Sequence, residues 1–515
     1  ESDTAAFRVF LQEKYGTLDR LNEAWGTVFW NQTYTEWEEI YVPRPTPSNS
    51  TNPHEVLDYI RFISDSTCRF ARMQSDILKK YVKPGDFITT NGLFGNLDNH
   101  RMTEESLDFI TYDSYPNFAY CLDSYEPDDK SMRDRKWSRN LAEARAISPN
   151  FGIMEQQSGA NGWNSRMEAP TPKPGQMTLW TMQSIAHGAD YVSYFRWRTC
   201  TMGTEIYWHG ILDYSGRDNR RLSELKEIHE KAGRMACVAG SRYQAKVGLV
   251  RDYDNLWDSV VDAWHGRVER ESGKGLFEAC QRKHTPFDFC YLDHMKAEEL
   301  SKYQVLFYPH ATMLTQQMTD KLTAYVVLGC RTGYKDETGK CVMSKLPGLL
   351  APLTGTDIPE YTFVSPADGT VYADWDGTRI EAAVFNDLLA PLTEDAKVEA
   401  RFSSSYYPGT PALISREQGK GRVYYFGGAF SEHTAEIFLE KLGVAEPYAD
   451  TVVLPEGCEL AVREGEQTYL FVLNYLDECA AVELKKECVD LFTGETVSGS
   501  MELKPFEAKV LAVGK

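Results

Sequence analysis

The run Phe151-Gly152-Ile153-Met154-Glu155-Gln156-Gln157 has strand character and delivers a carboxylate near its end; a loop of Ser, Gly, Ala and Asn then brings in Trp163. A parallel strand presenting a carboxylate at its C-terminal end, beside an aromatic platform on the next loop, is how a (β/α) barrel offers a nucleophile to a glycosidic bond. A second cluster follows a later strand: Arg196-Trp197-Arg198, then Gly203-Thr204-Glu205-Ile206-Tyr207-Trp208-His209-Gly210. It puts Glu205 and His209 on a loop at the same mouth, with groups suited to sugar hydroxyls. A lone strand-end Glu more often caps a helix or pairs with a surface Lys, and a lone loop His is often incidental. The two clusters together weigh against those plainer readings. Asp113 and Tyr115 end another strand and Asn91 a third; such residues fix loops more often than they act on a substrate. Arg196 or Arg198 would suit the task of holding a carboxylate ionised, and the sequence leaves open which one.

The elements that must position these residues read as parallel β/α units. Short helices are predicted over 4–15 and 18–25, with Phe7, Phe10 and Leu11 sharing a face of the first and Leu18, Leu21 and Trp25 a face of the second. A Pro/Ser/Asn loop over 42–53 leads to a long helix over 54–81, whose buried face is read as Leu57, Ile60, Ile63, Phe70, Ile77 and Leu78. Strands follow at 87–91, 109–113, 151–155 and 190–197, with helices near 131–147 and 176–187 between the later ones. A closed barrel needs eight strands, so residues 1–242 are read as the C-terminal half of a TIM barrel. Residues 243–446, with apolar runs Val247–Val250 and Val305–Tyr308, read as a doubly wound, flavodoxin-like α/β domain. Its Gly427-Gly428 turn lacks the spacing of a dinucleotide fingerprint. Residues 447–515 read as a small antiparallel β domain.

Composition narrows the function classes. The chain has 515 residues, 42% apolar and 25% charged, as in ordinary globular proteins of several domains. A net charge of −20 argues against nucleic acid and against an anionic membrane surface. No apolar run reaches the length of a membrane span. The 11 cysteines, with no C-x-x-C pair, read as reduced thiols and predict a cytoplasmic location without a disulfide framework.

Several stretches are similar to glycoside hydrolase family 42, the β-galactosidases: Tyr15-Gly16-Thr17-Leu18, Leu21-Asn22-Glu23-Ala24-Trp25-Gly26-Thr27, Phe29-Trp30, Tyr112-Asp113-Ser114-Tyr115-Pro116, Met154-Glu155-Gln156-Gln157 and Phe195-Arg196-Trp197-Arg198. They extend over residues 5 to about 230, and the domain order that follows resembles the family's barrel, flavodoxin-like trimerisation domain and small β domain. The resemblance implies that Glu155 is the nucleophile of a retaining β-galactosidase, that Trp163, Glu205 and His209 bind galactose, and that the chain forms a homotrimer. It implies no cofactor.

The departures matter as much. The family's acid/base glutamate sits in an Asn-Glu pair ending the fourth strand, upstream of the helix that begins near Ala5. Asn22-Glu23 matches a downstream segment instead, and Glu1 is too close to Phe7 to serve. The expectation is therefore that the first four strands and the acid/base come from an N-terminal segment completing the barrel, either a separate segment or a part truncated from this sequence. Some members carry a zinc-binding cysteine cluster whose last ligand would fall near Asp3, so no metal is expected. Two further readings stay open: a non-catalytic sugar-binding or assembly protein on this scaffold, and a hydrolase of α-L-arabinopyranosides.

Overall fold

In the computed structural model, residues 2–46, 50–122, 131–322 and 326–514 are described; Glu1 lies outside them. Helices α1 (Ser2–Tyr15) and α2 (Leu18–Trp25) pack Phe7, Leu11, Leu21 and Trp25 into one small core. Thr17 caps the start of α2, its hydroxyl accepting the Arg20 N–H, and Gly26 ends it at φ 60°. Helix α3 (Pro53–Leu78) begins with Asn52 accepting the His54 and Glu55 N–H groups and Pro53 in the first turn, a cap that contributes about 1 kcal/mol. Leu57 and Ile60 are buried as expected. Phe70, Ile77 and Leu78 are not: they are 57%, 49% and 46% exposed, while Cys68 and Ser75 face inward on that half of α3.

After α4 (Asn99–Ser106), three parallel strands form the sheet that matters for function: β1 (Thr111–Ser114), β2 (Phe151–Gln157) and β5 (Ala189–Phe195), in that spatial order. Helices α5 (Trp137–Ile147) and α6 (Gln176–Ala186) are the crossovers, and the hairpin β3 (Asn161–Trp163)–β4 (Arg166–Ala169) stands on the loop after β2. The expected strand at 87–91 is replaced by a single parallel bridge from Asn91 to Thr111. The segment bonds β1 on one side (Thr111 N–H to the Thr90 carbonyl, 3.2 Å) and leaves Phe87 57% exposed on the other. Helix α7 (Arg220–Arg234) closes this part of the chain.

A nine-stranded sheet follows. Its parallel half runs Phe287–Tyr291, Val247–Arg251, Val305–Tyr308, Val326–Leu328, Gly421–Phe426, a 2-1-3-4-5 order that is flavodoxin-like. Four antiparallel strands then extend it: Pro411–Gln418, Lys397–Phe402, Tyr372–Trp375 and Thr378–Glu381. The C-terminal part is an antiparallel sheet of seven strands that includes Arg242–Tyr243, paired with Cys458–Glu464. Glu459 of that sheet ties the three parts together. Its carboxylate accepts from Ser138 (2.8 Å), His187 (2.9 Å), Gln281 (3.1 Å) and Tyr475 (2.7 Å). No helix among the described residues is long and apolar enough to cross a membrane.

Candidate active site

Between Ile153 and Gln156, strand β2 carries one residue more than either neighbour. Against β1, Tyr112 faces Ile153 but Asp113 faces Glu155; against β5, Val192 faces Ile153 and Tyr194 faces Gln156. Met154 is the extra residue. Before it, Phe151 and Ile153 pack with Leu141 and Ala144 of α5; after it, Gln156 turns to the helices, accepting from Ser184 of α6 at 3.0 Å. Without the insertion the odd-numbered residues would all face the helix layer, Glu155 included. The bulge re-aims Glu155 to the opposite face, a use of bulges found beside active sites.

There Glu155 meets Tyr115, whose hydroxyl donates to its Oε2 at 2.5 Å. Burial, reinforced by the Glu155 hydrogen bond, raises the Tyr115 phenol well above its ordinary value, so it remains a donor. Asn91 Nδ2 donates to Asp113 Oδ2 at 2.6 Å. Burial pushes the Asp113 carboxyl up to about 6; the Asn91 bond opposes this and the nearby Glu155 charge adds to it. Asn91, Asp113 and Tyr115 therefore join Glu155 at one sheet end.

Trp163 and the second cluster reach this place through Trp208, which is 8% exposed. Its ring lies 5.2 Å from that of Tyr115, edge to face at 89°, and 5.6 Å from that of Trp163. Arg166 stacks on Trp163, its Cζ 3.7 Å from the ring centre. The Trp208 N–H bonds the Glu205 carbonyl at 3.0 Å, and the His209 N–H bonds the Ala160 carbonyl at 2.9 Å, so the loop bearing Glu205 and His209 is fastened to the loop after Glu155. This fastening needs glycine: a Cβ on Gly159 would lie 2.3 Å from the His209 carbonyl oxygen, and one on Gly210 2.4 Å from that of Arg196. Arg196 meets Glu205, with Nη2 3.1 Å from its carbonyl and 3.5 Å from its carboxylate. The expected arginine partner of a carboxylate is thus Arg196, and the carboxylate is Glu205; Glu155 is held by a tyrosine. His209 Nδ1 lies 3.8 Å from Asp213, and burial, which outweighs that carboxylate, lowers its pKa.

Trp208 is the residue that sequence reasoning passed over. Its signal was an aromatic beside His209 between two glycines, which looks the same for a loop that faces solvent. The Met154 bulge left no signal, because it exists only in the pairing.

A carboxylate re-aimed at the C-terminal end of a parallel strand, on a scaffold that also brings a tryptophan pair and polar loop groups to that end, is an arrangement compatible with glycoside hydrolysis on a β/α fold. Residues 1–235 match the family model described as β-galactosidase, residues 245–446 that of the β-galactosidase trimerisation domain, and residues 457–512 that of the β-galactosidase C-terminal domain. The chain belongs to glycoside hydrolase family 42, the β-galactosidases. It is 32% identical to a β-galactosidase of Clostridium cellulovorans over 99% of this chain and 76% of that one, and 30% identical to one of Heyndrickxia coagulans over 98% and 75%. Among solved structures, a catalytic mutant of a family 42 β-galactosidase from G. stearothermophilus superposes with a TM-score of 0.88 at 26% identity, over 99% of this chain and 75% of that one. The β-galactosidase from Bacillus circulans sp. alkalophilus gives 0.86 at 25%, over 100% and 77%.

Proposed function

We propose that this chain carries the nucleophile side of a retaining β-galactosidase, with Glu155 as the nucleophile. The observation that carries this reading is the 2.5 Å bond from Tyr115 to one oxygen of Glu155: it fixes the carboxylate and leaves its second oxygen free to attack. Glu155 attacks the anomeric carbon of a terminal β-D-galactoside and the bond to the leaving oxygen breaks as a general acid protonates it. The resulting galactosyl ester is then hydrolysed by water, which the same acid, now a base, deprotonates. Trp163 offers an apolar wall to the sugar ring, and Glu205 and His209 bind its hydroxyls.

The acid/base and the remaining strands complete this reading. Both outer edges of the β1-β2-β5 sheet lack a full strand partner among the described residues. Phe70, Ile77, Leu78 and Tyr81, in and just after α3, stand exposed, as does Phe87 in the segment that bonds β1. Unpaired edges and an apolar face of this kind call for covering strands. In our reading a separate N-terminal segment supplies four strands, completes the eight-stranded barrel and brings the acid/base carboxyl to about 5–5.5 Å from Glu155. The subunits assemble as a homotrimer through residues 245–446. Proton NMR of the first product formed from an aryl β-galactoside tests the mechanism: β-galactose should appear first and mutarotate later, and α-galactose appearing first would overturn it.

A further inference from the structure

We propose that Trp208 is a positioning residue for the reaction: its indole N–H donates to the Tyr115 hydroxyl oxygen while that hydroxyl donates to Glu155, so a chain of two hydrogen bonds aims the nucleophile. The proposal rests on the reading of Glu155 as nucleophile and adds to it the group that orients its tyrosine.

Two unused hydrogen-bonding capacities lie side by side here. The Tyr115 hydroxyl has one hydrogen and gives it to Glu155 Oε2 at 2.5 Å; its oxygen can still accept. Trp208 carries a single polar side-chain group, and that group is a donor. This indole N–H is buried and meets no acceptor in hydrogen-bonding geometry. A buried donor without a partner is costly enough to be rare in a folded chain. The rings of Tyr115 and Trp208 are in contact, with 5.2 Å between their centres at 89°. Phe118 also packs on Tyr115, at 5.8 Å, and it has no donor. The Trp208 N–H already acts on the phenol: burial and the Glu155 carboxylate raise the Tyr115 pKa, and Trp208 opposes them. In the proposed chain a small rotation of the phenol closes this approach to a hydrogen bond.

The N–H does not serve the sugar directly, because the indole nitrogen is sealed from solvent. Nor is Trp208 free to swing out. It is 8% exposed and wedged among three rings, with Phe118 at 6.1 Å and Trp163 at 5.6 Å beside Tyr115. Its backbone N–H is bonded to the Glu205 carbonyl at 3.0 Å, and that of His209 to the Ala160 carbonyl at 2.9 Å. Donation into the tyrosine oxygen polarises the O–H and strengthens its bond to the carboxylate. It also occupies a lone pair, which leaves the hydroxyl hydrogen pointing at Glu155. Trp208 lies on the loop that bears Glu205 and His209, so one side chain couples the seating of that loop to the aim of Glu155.

The test is a double-mutant cycle on the complete enzyme, its N-terminal segment in place, by steady-state kinetics on an aryl β-galactoside with melting as the folding control. Trp208→Phe keeps an aromatic ring and removes the N–H. It should lower kcat about three- to ten-fold, with KM little changed. In the Tyr115→Phe background no hydroxyl receives the N–H, so the same change should cost nothing further. Incorporation of 3-benzothienylalanine at position 208 guards against lost packing, since it keeps the bicyclic shape and carries sulfur in place of the N–H. It should lower kcat as Trp208→Phe does. A multiplied loss in the double variant, or full activity with the sulfur analogue, would overturn the role of the N–H. A fluorogalactosyl label on Glu155 in these same variants would leave the nucleophile reading standing; a label on another carboxylate would overturn that reading as well.

Discussion

The Tyr115 hydroxyl donates to Glu155 Oε2 across the ends of adjacent parallel strands, at 2.5 Å. A hydrogen bond to a charged acceptor contributes about 1.5–3 kcal/mol, and in the proposed mechanism it also sets the direction of attack. Tyr115→Phe should therefore lower kcat about ten- to a hundred-fold with little change in KM. Steady-state kinetics on an aryl galactoside check this; an unchanged kcat would separate Tyr115 from the reaction.

Between Ile153 and Gln156, Met154 is the residue by which β2 exceeds both neighbours. Deleting it should turn Glu155 toward α5 and α6, so that activity falls to background while circular dichroism stays that of a folded protein. Retained activity in the deletion variant would mean that the strand aims Glu155 by other means.

Gly159 allows the loop after β2 to touch the His209 carbonyl. In Gly159→Ala the added methyl must push the loop bearing Glu205 and His209 away. The expected result is a rise in KM of about tenfold, from lost contacts to the sugar of some 1–2 kcal/mol, with the melting temperature shifting by only a few degrees. An unaltered KM would place that loop outside the sugar site.

Glu459 gives a pH prediction. Burial alone would raise its carboxyl pKa, but His187, Arg135 and Tyr475 reverse this and hold it down at about 2. His187 is neutral: burial lowers its pKa, and Arg145 donates to its Nδ1 at 3.0 Å, so the proton sits on Nε2 and is donated to Glu459. A carboxyl depressed on folding adds stability above its unfolded pKa, near 4.3, and loses it as pH falls toward 2. Glu459→Gln sets an amide N–H against donors and should cost about 3–5 kcal/mol at pH 7. Calorimetry should show the deficit shrinking below pH 4; a deficit constant from pH 7 to 3 would contradict the assignment.

Legibility in the sequence followed burial. Val305–Tyr308 and Phe151–Ile153 are buried on both faces, so their apolar runs announce parallel strands. The four antiparallel strands that extend the middle sheet went unread, because segments such as Lys397–Phe402 are half charged and acquire strand character only from distant partners. Glu155 could be read from its place at a strand end, and the family resemblance supplied roles for Trp163, Glu205 and His209. The face Glu155 points to, its tyrosine partner, and Trp208 as the hub linking Tyr115 to Trp163 all depend on pairing across the sheet, which one strand does not contain.

The central claim is that Glu155 forms the covalent bond to the sugar. Inactivating the enzyme with an activated 2-deoxy-2-fluoro-β-galactoside traps that intermediate, and peptide mass spectrometry locates the label. The account predicts a single fluorogalactosyl group on the peptide containing Glu155, with no label in Glu155→Gln; a label on any other carboxylate would contradict it.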